Sequence, residues 1–180
     1  MLLTYKECMD KYGSDYQLKK QIKDGNIFMK EKGIYSTLRH TPEIDVIMRK
    51  YPNTVCTGKS AFYFHSLTDV IPDYYYLATK RTDTRIKDSR IRQSFLKEDI
   101  FQAGIIEMVY NNSCIRIYDK ERMLIEIMRF KSKMKMDYYK EIINNYRQIS
   151  FELDFGLVED YASLFKNGKN IMNMIQLEVL

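Results

Sequence analysis

Residues 4–35 read TYKECMDKYGSDYQLKKQIKDGNIFMKEKGIY, and this stretch decides how the N-terminal part of the chain folds. Thr4 is followed three positions later by Glu7, which is the spacing of a capping box at the start of a helix. Gly13 then supplies the left-handed backbone conformation with which helices commonly end. The stretch is therefore predicted to open with a helix that runs to Tyr12.

A second helix is predicted to start immediately after the first. Ser14 is a favourable N-cap with Gln17 three positions on, and Gly25 provides the stop. Leu18 and Ile22 lie one turn apart and form the buried side of this helix. Two short helices joined by so tight a turn must cross steeply, as they do in a helix-turn-helix.

Residues 26–35 contain two short β-prone pieces around a charged turn that ends in Gly33. This pattern predicts a compact β-hairpin, or wing. Pro42 interrupts the pattern and marks the junction with the rest of the chain. We therefore predict a winged helix-turn-helix DNA-binding domain at residues 1–41 and a larger α/β domain at residues 42–180.

The outward face of the second helix carries cationic and amide-bearing side chains. They are Ser14 at the start, followed by Tyr16, Gln17, Lys19, Lys20 and Lys23. Lysine neutralises phosphates and glutamine bridges a base edge in the major groove, so we interpret this face as DNA-binding. Lys30 and Lys32 of the wing would rest on the DNA backbone. An ordinary surface helix with helix-favouring lysines explains the local pattern equally well, and both interpretations stay open.

Helices and strands are mixed from residue 43 onward. The predicted helices are 43–51, 59–67, 120–130 capped by Asp119, and 137–149, with two more before Leu180, and the predicted strands are 74–79, 91–96, 105–110 and 114–118. Asn111-Asn112 suits the positive φ of a type I′ turn between the last two strands. The predicted fold class is α+β, in which the winged helix precedes a mixed domain with a small, largely antiparallel sheet and C-terminal helices.

The net charge of +5 is unevenly distributed along the chain. Residues 80–97 carry seven basic and only two acidic residues, whereas residues 152–180 carry more acidic residues than lysines. A basic surface of this kind favours a polyanionic partner. Lys80, Arg81 and Arg85 are therefore candidates to extend the phosphate contacts. A solvated surface without a partner is the alternative interpretation.

The sequence contains no recognisable catalytic or metal-binding pattern. His40 and His65 are not spaced as a helical metal pair, the three cysteines form no Cys-x-x-Cys, and His65 is better explained as a core-edge histidine bonded to the backbone. Gly58-Lys59-Ser60 is similar to the end of a phosphate-binding loop, but position 53 is Asn instead of Gly. No apolar stretch suits a signal peptide or a membrane span. We therefore expect a cytoplasmic protein that is not an enzyme and needs no cofactor or metal.

Four segments resemble the AbiEi family of antitoxin-like transcriptional regulators. Lys32-Gly33-Ile34-Tyr35 resembles the basic-Gly-aliphatic-Tyr end of the family's wing, and residues 60–68, SAFYFHSLT, resemble its Ser-Ala helix with His and Leu-Thr. Ile71-Pro72-Asp73-Tyr74 is similar to the family's proline before a strand, and Glu121-Arg122 to the Glu-Arg at a later helix start. The likeness extends over about residues 4–130.

The resemblance implies an antitoxin of a type IV toxin-antitoxin system, which serves phage defence by abortive infection. The chain would repress transcription by binding inverted repeats in the double-stranded DNA of its own promoter, as a homodimer or as cooperative monomers. Its larger domain would oppose a nucleotidyltransferase-like toxin, with or without direct contact. Winged helices usually have another helix before the helix-turn-helix, so we expect the helix at Glu43 or the C-terminal helix to cover that apolar face.

A second hypothesis makes the larger domain the functional part. It would be an interaction module for a toxin or for the RNA substrate of that toxin, with the winged helix as a scaffold. In that case residues 80–92 and the basic strip formed by Arg129, Lys131, Lys133 and Lys135 would matter more than the helix that begins after Ser14.

Overall fold

Nine α-helices and eight β-strands form an α+β fold in a computed structural model of the chain, which describes residues 1–180. In chain order they are β1 Leu2–Thr4, α1 Tyr5–Tyr12, α2 Asp15–Lys23, β2 Phe28–Glu31, β3 Ile34–Ser36, α3 Glu43–Lys50, β4 Val55–Cys56, α4 Gly58–Phe64, β5 Tyr75–Lys80, β6 Ile91–Leu96, α5 Glu98–Gln102, β7 Ile105–Tyr110, β8 Ser113–Tyr118, α6 Lys120–Phe130, α7 Met136–Gln148, α8 Phe155–Ser163 and α9 Gly168–Glu178. The elements divide between two compact units. The first comprises Met1–Thr54 with Val109–Ile115, and the second Val55–Met108 with Arg116–Leu180.

The first unit contains a three-stranded antiparallel sheet in the order β1-β3-β2. Helices α1 and α2 lie between β1 and β2 in the chain and bury one side against a small core. This core consists of Leu3, Cys8, Leu18, Ile27 and Tyr35, with Met9, Tyr12 and Ile22 packed at its edge. The predicted pair of short helices and the predicted hairpin are therefore present, and β1 is an additional strand that the sequence pattern did not reveal.

Helix α3 belongs to the first unit, because it packs against β1 and β3. It buries Ile44, Val46 and Ile47. The sequence places the domain boundary after residue 41, whereas the first compact unit continues to Thr54 for this reason. Of the two segments expected to cover the apolar face of this part of the chain, α3 packs on this sheet.

The second sheet has five strands in the order β6-β5-β4-β8-β7. The expectation of a largely antiparallel sheet is wrong, because β4 pairs with β8 and β5 pairs with β6 in parallel, while β4 and β5 are antiparallel. The turn predicted at Asn111-Asn112 is confirmed, since both residues adopt positive φ, at 45° and 68°. The sheet is thus mixed.

The parallel pairing of β5 with β6 depends on a crossover that contains no helix. Parallel strands usually need a long connection with a helix in it, yet here residues 81–90 return the chain to the start of β6. The Gln93 side-chain amide anchors this crossover to β6 in the absence of a helix. Its Nε2 donates to Thr79 Oγ1 at 2.8 Å and to the Thr84 carbonyl at 3.1 Å, and its Oε1 accepts from the Ile86 amide at 2.8 Å.

Helix α6 is the most deeply buried helix of the second unit. Asp119 caps it by accepting a hydrogen bond from the Arg122 amide at 2.7 Å. The Arg122 side chain is fully buried, and its Nη1 lies 2.6 Å from Glu126 Oε1. No guanidinium nitrogen of Arg122 has an aligned hydrogen bond to protein, so charge attraction holds this pair. Arg129 Nη1 binds the same carboxylate at 2.8 Å.

Aromatic rings surround the buried Arg122. Its guanidinium lies 5.3 Å from the Tyr118 ring and 5.0 Å from the Phe165 ring. The Tyr118 carbonyl is also 2.7 Å from His65 Nε2, which confirms the interpretation of His65 as a core-edge histidine bonded to the backbone. Burial lowers the pKa of His65, so its ring is neutral at pH 7.

None of the helices combines the length and the apolar character that crossing a bilayer requires.

The first prediction concerns the Arg122–Glu126 pair. Glu126→Gln removes the carboxylate that faces two guanidinium groups and leaves Arg122 buried without a counter-charge. We expect the free energy of unfolding, measured by urea denaturation, to fall by about 3–5 kcal/mol. Glu107→Gln is the matched control, since Glu107 is exposed and should change the value by less than about 0.5 kcal/mol. Equal stability of the two variants would contradict the prediction.

Candidate nucleic-acid interface

Helix α2 is short and has a well-defined start and end. Ser14 is its N-cap, with Oγ accepting a hydrogen bond from the Gln17 amide at 3.3 Å. Asp15 lies in the first turn and Lys20 and Lys23 in the last, so these charges complement the helix dipole. The chain leaves the helix through Gly25, whose φ of 74° is a conformation that glycine adopts without strain.

The packing of Leu18 determines which face of α2 reaches solvent. Leu18 is the one fully buried side chain of the helix, and Ile22, one turn later, packs against the edge of the same core. Residues three or four apart share a helix face, so the opposite face points outward. Every residue predicted on that face is exposed: Ser14, Tyr16, Gln17, Lys19, Lys20 and Lys23.

One of the three lysines on α2 has an acidic partner. Lys19 Nζ lies 2.8 Å from Asp15 Oδ2 one turn earlier, and this hydrogen bond raises the pKa of Lys19. Both side chains are at least half exposed, and such surface pairs contribute less than about 1 kcal/mol, so the lysine is easily transferred to another anion. Lys20 and Lys23 form no ion pair. The exposed face therefore carries uncompensated positive charge.

The β2–β3 hairpin, predicted as the wing, presents less charge than the sequence suggested. Lys32 is exposed in the turn next to Gly33, whose φ is 83°. Lys30, by contrast, donates from Nζ to the Arg39 carbonyl at 2.6 Å and lies 5.5 Å from the Phe28 ring, so it is only partly exposed. Of the two wing lysines predicted to contact DNA, Lys32 is the one that is free.

The Glu7 carboxylate connects α1, β1 and α3, a role that the sequence pattern revealed only in part. The predicted capping box is confirmed: Thr4 donates to Glu7 Oε2 from its amide at 2.7 Å and from its hydroxyl at 2.9 Å. The Arg49 guanidinium of α3 donates to the other carboxylate oxygen. The Arg49 hydrogen bond, followed by those from Thr4, lowers the pKa of Glu7 from 4.5 to about 2.

A second ion pair fastens α3 to the hairpin. Lys50 Nζ lies 2.6 Å from Glu31 Oε2, and this partner raises the pKa of Lys50. Arg49 and Lys50 are adjacent on α3 and bind acids on two different elements. Only three-dimensional pairing across 42 and 19 positions of sequence brings these charges together, so no local pattern could have revealed them.

The other predicted DNA-binding residues belong to the second compact unit. Lys80 Nζ is 2.8 Å from Glu98 Oε1 and 6.0 Å from the Phe101 ring, and, like the Lys19–Asp15 pair, this ion pair lies at the surface. Arg81 and Arg85 are exposed and form no ion pair. The structure therefore does not place these three residues in one unit with α2.

Nowhere in the chain do three or more His, Cys, Asp or Glu side chains form a group that could hold a metal ion.

No model of a known protein family matches the chain, and no curated protein matches it. The resemblance to the AbiEi family stays a prediction from the four sequence segments.

The second prediction concerns the pH dependence of stability. A carboxylate whose pKa is depressed in the folded state adds stability above its unfolded pKa of about 4.5, and loses that contribution as the pH falls to about 2. Wild type should therefore exceed Glu7→Gln in stability above pH 4.5, and the difference should shrink toward pH 2. Denaturant midpoints at several pH values measure this difference. Asp10→Asn, on the exposed side of α1, is the control. A constant difference between wild type and Glu7→Gln would contradict the assigned role.

Proposed function

We propose that this chain is a DNA-binding antitoxin of the AbiEi type, which represses its own operon and counteracts a nucleotidyltransferase-like toxin. The proposal of DNA binding rests on the surface of α2, where one buried residue, Leu18, orients an exposed face of amide and lysine side chains. The antitoxin half rests on the resemblance in sequence.

A winged helix-turn-helix accounts for the order of elements in the first unit. Helices α1 and α2 are joined by the tight turn at Gly13 and Ser14, and the β2–β3 hairpin follows as the wing. In such domains the second helix lies in the major groove, with its N-terminal residues at base edges. Tyr16 and Gln17 occupy that end of α2, whereas Lys20 and Lys23 lie further along the helix, where they would contact phosphates of the DNA backbone.

Support for the rigid presentation of α2 comes from the other side of the unit. The small sheet buries Leu3 and Tyr35 beneath α1 and α2, and α3 packs on β1 and β3. In a complete winged helix a preceding helix packs near this position, so we propose that α3 substitutes for it. A recognition helix that is held rigidly loses little conformational entropy when it binds.

A single α2 contacts only a few base pairs. We propose that two copies occupy an inverted repeat whose half-sites are about one helical turn of DNA apart, as a homodimer or as cooperative monomers. Lys32 on the wing then adds a phosphate contact at the flank of each half-site.

The third prediction tests the α2 surface. Replacing Lys19, Lys20 and Lys23 together with Ala removes three phosphate contacts, so fewer counterions are released on binding. The affinity for the gene's own upstream DNA should fall, and the slope of log K against log salt should decrease in magnitude by about 0.9 per lost contact. Fluorescence anisotropy at several salt concentrations measures both quantities.

Two control variants sharpen this test. Lys140→Ala/Lys166→Ala/Lys169→Ala removes the same charge from exposed positions of the second unit and should leave the slope unchanged. Gln17→Ala removes no charge, so it should weaken specific binding without a change in slope. If the α2 variant binds promoter DNA as tightly as wild type, with the same slope, the DNA-binding proposal is wrong.

The fourth prediction tests the antitoxin half independently of DNA. A reading frame for a nucleotidyltransferase-like protein should lie beside this gene, and its expression alone should arrest growth. Co-expression of this chain from an unrelated promoter should restore growth, measured as colony counts. If growth arrest persists although this chain is soluble and folded, the proposed antitoxin activity is wrong, and the proposed DNA binding is unaffected.

A further inference from the structure

The crossover between β5 and β6 creates a cleft on the outer strand of the five-stranded sheet. Strand β6 is an edge strand, and residues 85–89 of the crossover lie against it. The space between them is a cleft of about 520 Å³, lined by Arg85, Lys87 and Phe95 among others. Because the Gln93 amide holds the crossover at Thr84 and Ile86, the two sides of the cleft keep a defined separation.

The positive charge around the cleft is not compensated. Of the two acidic residues of the segment, Asp88 lines the cleft and binds Arg90 at 2.7 Å, and Asp83 accepts from the Lys80 amide at 3.0 Å, so only the Asp83 charge opposes the other basic residues. No ion pair involves the remaining basic residues, which are Arg81, Arg85, Lys87, Arg92 and Lys97, and all of them are exposed. The surface therefore attracts an anion with several charges.

Arg92 and Phe95 add features that a merely solvated surface does not require. Arg92 lies on the opposite face of β6 from Gln93 and Phe95, where its guanidinium stacks 3.9 Å from the centre of the Tyr74 ring. Phe95 follows Gln93 on the same face of the strand. Its side chain is 44 % exposed, although it is large and apolar. Gln93 has no free amide atom for a ligand and is a positioning residue.

We propose that this cleft binds single-stranded nucleic acid. Phosphates lie on Arg85 and Lys87, and one unstacked base stacks on the Phe95 ring. Binding of single strands combines a cationic groove with an aromatic platform in this way, whereas a duplex presents its bases already stacked and leaves an exposed ring without a partner. The site shares no residue with α2 and does not rest on promoter binding.

The experiment uses the full chain with Lys19, Lys20 and Lys23 replaced by Ala, which removes the other candidate nucleic-acid surface. The probes are fluorescent single strands of about 12 nucleotides, within the range bound by one small domain, as RNA and as DNA of the same mixed sequence. The duplex of that DNA and poly-glutamate serve as competitors. Anisotropy is recorded at several salt concentrations.

Two substitutions should affect binding in different ways. Phe95→Ala should weaken the binding of the single strands about tenfold without a change in the salt slope, because stacking releases no counterions. Arg85→Ala/Lys87→Ala should weaken binding and decrease the magnitude of the slope by about 1.4, at about 0.7 per phosphate contact. Lys140→Ala/Lys166→Ala, with the same loss of charge, should change neither quantity.

Phe95→Leu keeps the apolar bulk but lacks a flat ring, so it should weaken the binding of single strands as much as Phe95→Ala does. Because leucine preserves the packing, this variant separates loss of stacking from a folding defect, and circular dichroism checks that both variants are folded. Unchanged affinity in both Phe95 variants overturns the proposal. Equal binding of the duplex also overturns it, and equal competition by poly-glutamate identifies an acidic polypeptide as the partner instead. Tighter binding of RNA than of DNA, or the reverse, supports the site and identifies which strand it prefers.

Discussion

The burial of Leu18 is the constraint on which the first unit depends. It inserts from α2 into a core of only a few side chains, among them Cys8, Ile27 and Tyr35. Because a helix of nine residues has few contacts, this one apolar side chain determines the rotation of α2 about its axis. The exposure of Gln17 and of the three α2 lysines is a consequence of that rotation and needs no further explanation.

Local signals in the sequence were sufficient for several helix starts and for the positions of most elements, whereas the helix predicted at 59–67 ends at Phe64 and α5 was not predicted. The caps at Thr4, Ser14 and Asp119 and the turn at Asn111-Asn112 involve residues within three positions of each other, so their chemistry can be read directly. Strands β1 and β4 were missed, because two or three residues are too few for an alternating pattern. Their positions depend on partners far away in the chain.

The pairing direction of the strands and the pairing of charges could not be predicted for the same reason. A crossover without a helix is normally associated with an antiparallel hairpin, and here the side chain of Gln93 anchors the crossover of a parallel pair. Likewise, Lys30 and Lys80 are indistinguishable in sequence from Lys23 and Lys32. In the structure, Lys30 binds the Arg39 carbonyl and Lys80 binds Glu98, whereas Lys23 and Lys32 form no ion pair.

The anchoring of the crossover by one amide has a chemical consequence for the life of the protein. Hydrolysis of the Gln93 amide, a slow ageing reaction, would convert it into a glutamate that has no N–H to donate. The new carboxylate would face the Thr84 carbonyl, and repulsion would drive the loop away from β6. The cleft between the crossover and β6 would then lose its defined separation.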